Sequence, residues 1–75
     1  MKSNIRAERA RLNLTQADLA SAVGVHVNMV CRYESGESEP SGGVLVRMAA
    51  FFGCSPDYLL GLCDERNGHI EISKQ

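Results

Sequence analysis

Glycine residues divide this sequence into short segments that carry helical patterns. The segment LTQADLASAV contains the strong N-cap residue Thr15, and Asp18 three residues later completes a short version of the capping box. Gly24 follows this segment, at a point where a helix must stop and the chain must turn in the left-handed region. Gly53 and Gly61 end two later segments in the same way. A chain divided at these points forms short helices that pack on one another, so the pattern predicts an all-α fold.

Five helices are predicted, and a loop rich in glycine and serine lies between the third and the fourth. The first helix begins at Ser3 or Asn4 as its cap, and Pro56 stands at the first position of the fifth. Apolar residues recur at helical spacing, so each helix has an inward face. The expected ranges are about 4–12, 16–23, 26–34, 43–52 and 56–60. The expected inward-facing residues of the second, third and fourth helices are Leu19, Val23, Val25, Val30, Tyr33, Val44, Leu45, Met48, Ala49 and Phe52, and Tyr58, Leu59 and Leu60 are the expected apolar anchors of the fifth.

The sequence beyond the last of these glycines has a weaker pattern. An Asn-Gly turn signal is followed by Ile70 and Ile72, which alternate with polar residues as in one short strand. A lone strand is not stable by itself, so we expect it to pack against a partner chain. The sequence therefore divides into a helical domain, residues 1–61, and a tail, residues 62–75.

The composition argues against several kinds of protein. No run of about 18 apolar residues occurs, so we expect no membrane-spanning helix. The N-terminus lacks the apolar core and cleavage site of a signal peptide, and we expect a cytoplasmic protein. The three cysteines form no CxxC pair, and with the two histidines they show no usual ligand spacing. We therefore expect reduced thiols, no metal site and no small-molecule cofactor.

The charge of the chain is polarised, although its formal net value is only −1. Residues 1–33 carry five basic and two acidic residues, whereas residues 34–75 carry three basic and seven acidic residues. Polarised charge can orient a protein in the field of a charged partner even when the total is near zero. The alternative is that the asymmetry is accidental in so small a chain.

Two of the predicted helices, joined through the turn at Gly24, form a helix-turn-helix. The stretches LTQADLASAVGV, RYESGESEPS and LVRMAAFFGCSPDYLLG resemble the lambda-repressor-like helix-turn-helix family, also called the XRE family, over residues 5–61. The resemblance implies a dimeric, sequence-specific transcriptional regulator of bacteria or phages. Its partner would be double-stranded DNA, with a palindromic operator of two half-sites. Residues 1–61 would then be a DNA-binding domain, and residues 62–75 lie outside the resemblance.

The third predicted helix, the second of this motif, has two faces when each residue advances the helix by 100°. Its inward face holds Val30, Tyr33 and part of Met29. Its outward face holds Val27, Asn28, Cys31 and Arg32, which match the base-contacting positions of the family. Arginine can bind guanine and asparagine can bind adenine through paired hydrogen bonds, while valine can contact a thymine methyl. Cysteine offers only a small apolar contact, and the alternative for the polar residues is a solvated helix face.

Contacts to the DNA backbone are expected at helix ends, where free N–H groups and the helix dipole favour anions. The resemblance implies that Thr15, Gln16, His26, Ser35 and Gly36 make these contacts. Thr15 can also act only as a cap. Histidine is a poor cap, but His26 could be protonated close to a phosphate.

The resemblance also implies a partly buried ion pair between Arg9 and Glu34, which would fix helix orientation more than it adds net stability. Three features depart from the family pattern. The loop after the third helix contains acidic residues and no cation, so it would repel phosphates. Glu8 stands where an apolar residue is common, and glycines at 42 and 43 weaken the start of the fourth helix.

Dimerisation would use the fifth helix and the tail strand. The candidate interface residues are Tyr58, Leu59, Leu62, Ile70 and Ile72.

Three classes of function remain to be weighed. A dimeric DNA-binding repressor of a prophage or mobile element fits the motif. A protein-interaction module on the same fold, such as an antitoxin or antagonist, fits the acidic loop, the low charge and the strand-like tail. An enzyme is not expected, because the sequence shows no nucleophile–base pair, no phosphate-cradling loop and no carboxylate pair in a pocket.

Overall fold

The computed structural model of this chain describes residues 3–66, and these residues form five α-helices and no strand. The predicted all-α fold is confirmed, and the predicted helix bounds agree with the observed ones to within about one residue. None of the described helices is both long and apolar enough to cross a membrane. The predicted strand at Ile70 and Ile72 lies outside the described residues. In chain order the helices are α1 (Ile5–Arg11), α2 (Gln16–Val23), α3 (Val27–Ser35), α4 (Gly42–Phe52) and α5 (Pro56–Leu59).

Local hydrogen bonds set the ends of α2 as the sequence predicts. The Thr15 hydroxyl accepts the N–H of Asp18 at 3.0 Å, and the Asp18 carboxylate accepts the N–H of Thr15 at 3.0 Å, which completes the capping box. The bond from the Thr15 backbone N–H lowers the pKa of the Asp18 carboxyl, because it favours the charged form. At the other end Gly24 adopts the left-handed conformation, with φ of 75°. This turn sends the chain directly into α3.

The core lies where α2 packs against α3 and α4, with α1 against α3 and α5 against α4. Full burial of one leucine, valine or phenylalanine side chain stabilises the fold by roughly 1.5–3 kcal/mol. The apolar contacts between the helices therefore hold them together. Val25, Val44 and Leu45, which the sequence predicts to face inward, are half-buried at the margin of the core. The buried apolar residues are Ile5, Leu19, Ala20, Val23, Val30, Tyr33, Met48, Ala49, Phe52 and Leu59.

Glu8 is buried at 2% exposure, and two arginines neutralise it. Arg66 Nε donates to Glu8 Oε2 at 2.9 Å, and Arg11 Nη2 lies 2.9 Å from Glu8 Oε1. Burial alone would raise the pKa of this carboxyl, but the bonds and attraction from both arginines outweigh it, and the pKa is lowered. Arg66 also donates to the Phe52 carbonyl at 2.8 Å. An acidic side chain is therefore accommodated at a position where the resemblance implies an apolar one.

The first part of the tail, residues 62–66, returns to the helical body through Arg66. The Ser55 N–H donates to the Arg66 carbonyl at 2.6 Å, beside the start of α5. The boundary at residue 61 stays a prediction, but these contacts place residue 66 against the domain.

The prediction that Leu59 lies in a dimer interface is wrong, because its side chain is 0% exposed within a single chain. It fills the core beneath α5, and its carbonyl accepts the N–H of Asn4 at 2.9 Å, which ties α5 to the start of α1. Tyr58 is half-buried and Leu62 is 57% exposed, so both retain surface that a second copy can contact.

Candidate nucleic-acid interface

The helix α3 begins at Val27, and the imidazole of the preceding residue, His26, acts as its N-cap. The ring Nδ1 accepts the backbone N–H of Asn28 at 3.1 Å, and the His26 backbone is extended with φ −77° and ψ 148°. A ring nitrogen accepts a hydrogen bond only while it carries no proton. The protonated His26 considered for a phosphate contact would therefore lose this cap at Nδ1. Histidine is a poor cap in general, but here it fixes the first turn of α3.

The outward face of α3 agrees with the prediction at three of its four positions. The side chains of Asn28, Cys31 and Arg32 are exposed. Val27 was expected to project outward, but it is half-buried and packs at the margin of the core. Its position on the helix, 100° from Asn28, places it at the border between the two faces. The predicted inward face is confirmed, with two buried residues, Val30 and Tyr33, and the half-buried Met29.

The predicted ion pair between Arg9 and Glu34 is confirmed. Arg9 Nε donates to Glu34 Oε2 at 2.6 Å, and Arg9 Nη2 donates to Glu34 Oε1 at 3.1 Å. The side chains are 17% and 6% exposed, respectively. The bonds to Glu34 raise the pKa of Arg9, since they favour the charged guanidinium. Arg9 Nη1 also donates to the Leu14 carbonyl at 2.7 Å, so one side chain joins α1, the segment before α2 and the end of α3.

Gln16 extends this ion pair into a chain of hydrogen bonds that reaches the outward face of α3. Its Nε2 donates to Glu34 Oε1 at 3.1 Å, and its Oε1 accepts the Cys31 thiol at 3.1 Å. A carboxylate can only accept, so the amide nitrogen must face Glu34. One amide hydrogen of Gln16 then remains for another acceptor. The first residue of α2 is thus held in one orientation beside Cys31.

Sequence reasoning assigned Gln16 and Cys31 to DNA contacts but missed that they bond to each other. Fifteen residues separate them, and only the packing of α2 on α3 brings them together. The sequence signal was limited to their positions, one at the start of a capped helix and one on the outward face of the next.

The remaining predicted backbone-contacting residues lie at helix ends. Thr15 is exposed and caps α2, with its hydroxyl already accepting from Asp18. Ser35 is exposed, and its hydroxyl donates to the Arg32 carbonyl at 3.1 Å and accepts the Glu37 N–H at 3.3 Å. Gly36 ends α3 in the left-handed conformation, with φ of 85°.

A groove of 270 Å³ lies between α1 and the α2–α3 unit and joins several of the predicted residues. Of the predicted contact residues, Gln16, Cys31 and Ser35 line this groove, whereas Thr15, His26, Val27, Asn28, Arg32 and Gly36 do not. Its lining residues are Arg6, Arg9, Gln16, Cys31, Glu34 and Ser35.

Cations and acids are unevenly paired in the part of the chain that the structure describes. The ion pairs within residues 3–66 engage Arg9, Arg11 and Arg66. Arg32, on the outward face of α3, is exposed. The loop after α3 exposes Glu37 and Glu39, as its sequence predicts. The exposed side chains of Asn28, Cys31 and Arg32 on α3, which we call the reading face, therefore carry one positive charge, and an acidic loop follows them in the chain.

Residues 3–66 contain no group of three or more His, Cys, Asp or Glu side chains placed to hold a metal ion. The cysteines at 31, 54 and 63 are free thiols, and burial raises the pKa of Cys54.

Comparison with known proteins places this geometry among DNA-binding regulators. Residues 5–59 match the Helix-turn-helix family. Repressor protein C2 of Salmonella phage P22 is 42% identical over 60 residues, which is 80% of this chain and 28% of that protein. An uncharacterized HTH-type transcriptional regulator of Methanocaldococcus jannaschii is 40% identical over 53 residues, which is 71% of this chain and 80% of that protein.

A solved structure is also similar. It is the crystal structure of the P22 c2 repressor in complex with the synthetic operator 9T in the presence of Tl⁺. The TM-score is 0.75 and the identity 40%, over 80% of this chain and 91% of that one.

Proposed function

This chain belongs to the helix-turn-helix family, in its lambda-repressor-like (XRE) branch, and we propose that it is a sequence-specific double-stranded DNA-binding regulator of transcription. The observation that carries this proposal is the α2–turn–α3 unit, in which a helix anchored by Val30 and Tyr33 exposes Asn28, Cys31 and Arg32. The family and the repressor–operator structure that this fold resembles support the same function.

Base recognition would come from α3 lying in the major groove. The Arg32 guanidinium suits the O6 and N7 of guanine, and the Asn28 amide suits the N6 and N7 of adenine. Val27 lies at the margin of the face and suits a thymine methyl, while Cys31 makes a smaller contact. The cap at His26 and the chain of bonds through Gln16 hold these side chains on a fixed helix, which limits the entropy lost on binding.

Contacts to the DNA backbone would come from the ends of α2 and α3. The free amide hydrogen of Gln16 and the N-terminal dipole of α2 favour a phosphate oxygen. Thr15 and His26 would contribute from the two helix starts, and Ser35 and Gly36 from the turn after α3. These contacts position the protein, while the base contacts specify the sequence.

The repressor function and the homodimer are part of the same proposal. The P22 relative is named a repressor, and a two-fold dimer would bind two half-sites about one helical turn apart. Tyr58 and Leu62 retain accessible surface, and Ile70 and Ile72 remain candidates in the tail. Solution mass of a chain that ends at Gly68 tests the tail, because an unchanged dimer would remove both isoleucines from the interface.

Selection from a random duplex library, repeated at two salt concentrations, tests the DNA-binding function. We expect one enriched sequence with two half-sites. Because few cations face the DNA, the slope of log K against log salt should be shallower than about −8. A steeper slope would contradict the proposed contacts. Failure to enrich any duplex, together with recovery of a tight protein partner, would favour the alternative function as a protein-interaction module. The exposed acidic residues Glu37 and Glu39 are consistent with that alternative.

A further inference from the structure

The groove between α1 and the α2–α3 unit has an unused cation. Arg6 lines it, is exposed, and takes part in none of the ion pairs within residues 3–66. A second depression, of 380 Å³, shares Arg6 and Glu34 with the groove, so open space borders the Arg6 side chain on two sides. Nothing in the core or in the reading face requires an arginine at this position.

Among the described residues that line the groove, Arg6 carries the charge that is not neutralised by a neighbouring acid. Glu34 is the one acid that lines it, and Arg9 neutralises that acid through two hydrogen bonds. The Arg6 guanidinium therefore supplies the net positive charge of the groove. The first residue of α2, Gln16, lines the same groove and adds the positive end of a helix dipole.

The groove lies beside residues that we propose contact the DNA backbone. Gln16 and Ser35, both proposed to contact the DNA backbone, stand on its wall, and Cys31 links it to the reading face of α3. A backbone that passes Gln16 and Ser35 would run along the mouth of this groove. Arg6, which lies on α1 outside the helix-turn-helix itself, would then meet a phosphate.

We propose that this groove is a phosphate site for the DNA backbone and that Arg6 is its charged ligand, an inference that rests on the proposed DNA-binding function. The planar guanidinium fork can bind two phosphate oxygens at once, and the free amide hydrogen of Gln16 can bind a third. The site accounts for part of the nonspecific attraction that the acidic loop after α3 cannot provide. It carries no sequence information, because phosphates are the same at every base pair.

The test measures the salt dependence of binding to a labelled duplex of mixed sequence, about three helical turns long, between about 50 and 200 mM NaCl. The variants are Arg6→Gln, which removes the charge, and Arg6→Lys, which retains it. Arg47→Gln is the matched control, because Arg47 is an exposed arginine whose Nε donates to the carbonyl of Val23, at the opposite end of α2 from Gln16. Thermal unfolding of each variant confirms that it folds.

We expect Arg6→Gln to make the slope of log K against log salt shallower by about 0.9 per protomer, with weaker binding at every salt concentration. Arg6→Lys and Arg47→Gln should keep the slope of the unsubstituted protein. An Arg6→Gln slope equal to that of the unsubstituted protein would overturn the phosphate site and leave the DNA-binding function intact. If the unsubstituted protein binds no duplex at low salt, both proposals fall together. If Arg6→Gln does not fold, an Arg6→Lys slope that drops by the same amount overturns the role of charge.

Discussion

Individual side chains determine how α3 is held, and Arg9 joins three parts of the chain. Its guanidinium bonds to both carboxylate oxygens of Glu34 and to the carbonyl of Leu14. Glu34 in turn accepts from Gln16, so the ion pair holds a residue that we propose contacts the DNA backbone. A single charged pair thereby joins the packing of the domain to the geometry of its interface.

We predict that Arg9→Ala lowers the free energy of unfolding by about 3 kcal/mol, because it leaves the buried Glu34 carboxylate without its counterion. DNA binding should weaken while the preferred base sequence stays the same, since the Arg9 side chain donates to Glu34 and Leu14 and not to Asn28, Cys31 or Arg32. Thermal unfolding and library selection measure the two effects. Arg9→Lys keeps the charge but loses the paired bonds, so its free energy of unfolding should lie between those of Arg9→Ala and the unsubstituted protein. Equal melting temperatures for Arg9→Ala and the unsubstituted protein would refute this account.

Glu8 should make stability depend on pH in the acid range. Its pKa in the folded protein is lowered from 4.5, so its contribution is fully present above about pH 4.5 and is lost as the pH falls through the lower, folded-state value. Glu8→Gln should cost roughly 1.5–3 kcal/mol at neutral pH, and the difference from the unsubstituted protein should shrink on acidification. Urea unfolding across this pH range measures it. Glu37→Gln, in the exposed loop, is the control, and a difference independent of pH would argue against the Glu8 cluster.

At the scale of the helices, local signals decide where each element begins and ends. The capping box at Thr15 and the left-handed glycines depend only on neighbouring residues, and for this reason the sequence predicts the helix bounds well. The inward residues of α2, α3 and α4 follow from helical spacing. Long-range contacts are different. The pairing of Glu8 with Arg66 and the bond of Gln16 to Cys31 depend on how distant helices pack, which periodicity does not contain.

The same limit explains why Leu59 and Val27 lie in other surroundings than the sequence predicts. Leu59 lies on the short helix α5, and Val27 is the first residue of α3. At such positions too few residues are present for periodicity to define a helix face. Packing against the rest of the molecule decided that Leu59 is buried and that Val27 is half-buried. The residues predicted from the family pattern, Arg9 and Glu34, were correct because the resemblance carries three-dimensional information.

Two glycine substitutions should shift stability in opposite directions. Gly24→Ala should cost about 1–2 kcal/mol, because its φ of 75° is unfavourable for a residue with a Cβ, even though no atom lies within 4 Å of the added carbon. Gly43→Ala should stabilise by up to about 1 kcal/mol, because Gly43 is helical and its Cβ would meet Arg47 Nη1 at an ordinary 3.7 Å. Thermal unfolding compares them. No loss of stability in Gly24→Ala would contradict the left-handed turn, and a loss in Gly43→Ala would contradict a strain-free helical site at that residue.

For the whole molecule, the first residues of the tail close the fold. Arg66 bonds to Glu8 on α1 and to the Phe52 carbonyl at the end of α4, and its own carbonyl accepts from Ser55. The helical body and residue 66 thus form one unit, although the resemblance to the family stops at residue 61.

A chain that ends at Gly61 should therefore be less stable than one that ends at Gly68. We expect a small but measurable loss of stability, modest because Arg66 is 38% exposed and Glu8 retains Arg11. Chemical denaturation of both chains gives the difference. Arg66→Ala in the full chain should reproduce most of it. Identical stabilities for the two shortened chains would show that the return of the tail contributes nothing.

The base preference of Arg32→Ala tests most directly whether the outward face of α3 reads DNA sequence. Library selection should show that the unsubstituted protein and Arg47→Ala enrich the same pair of half-sites. Arg32→Ala should lose its preference for guanine at one position in each half-site, with a loss of about 1–3 kcal/mol for that base pair. If Arg32→Ala enriches the same sequence as the unsubstituted protein, with the same base preference at every position, α3 does not read DNA through Arg32.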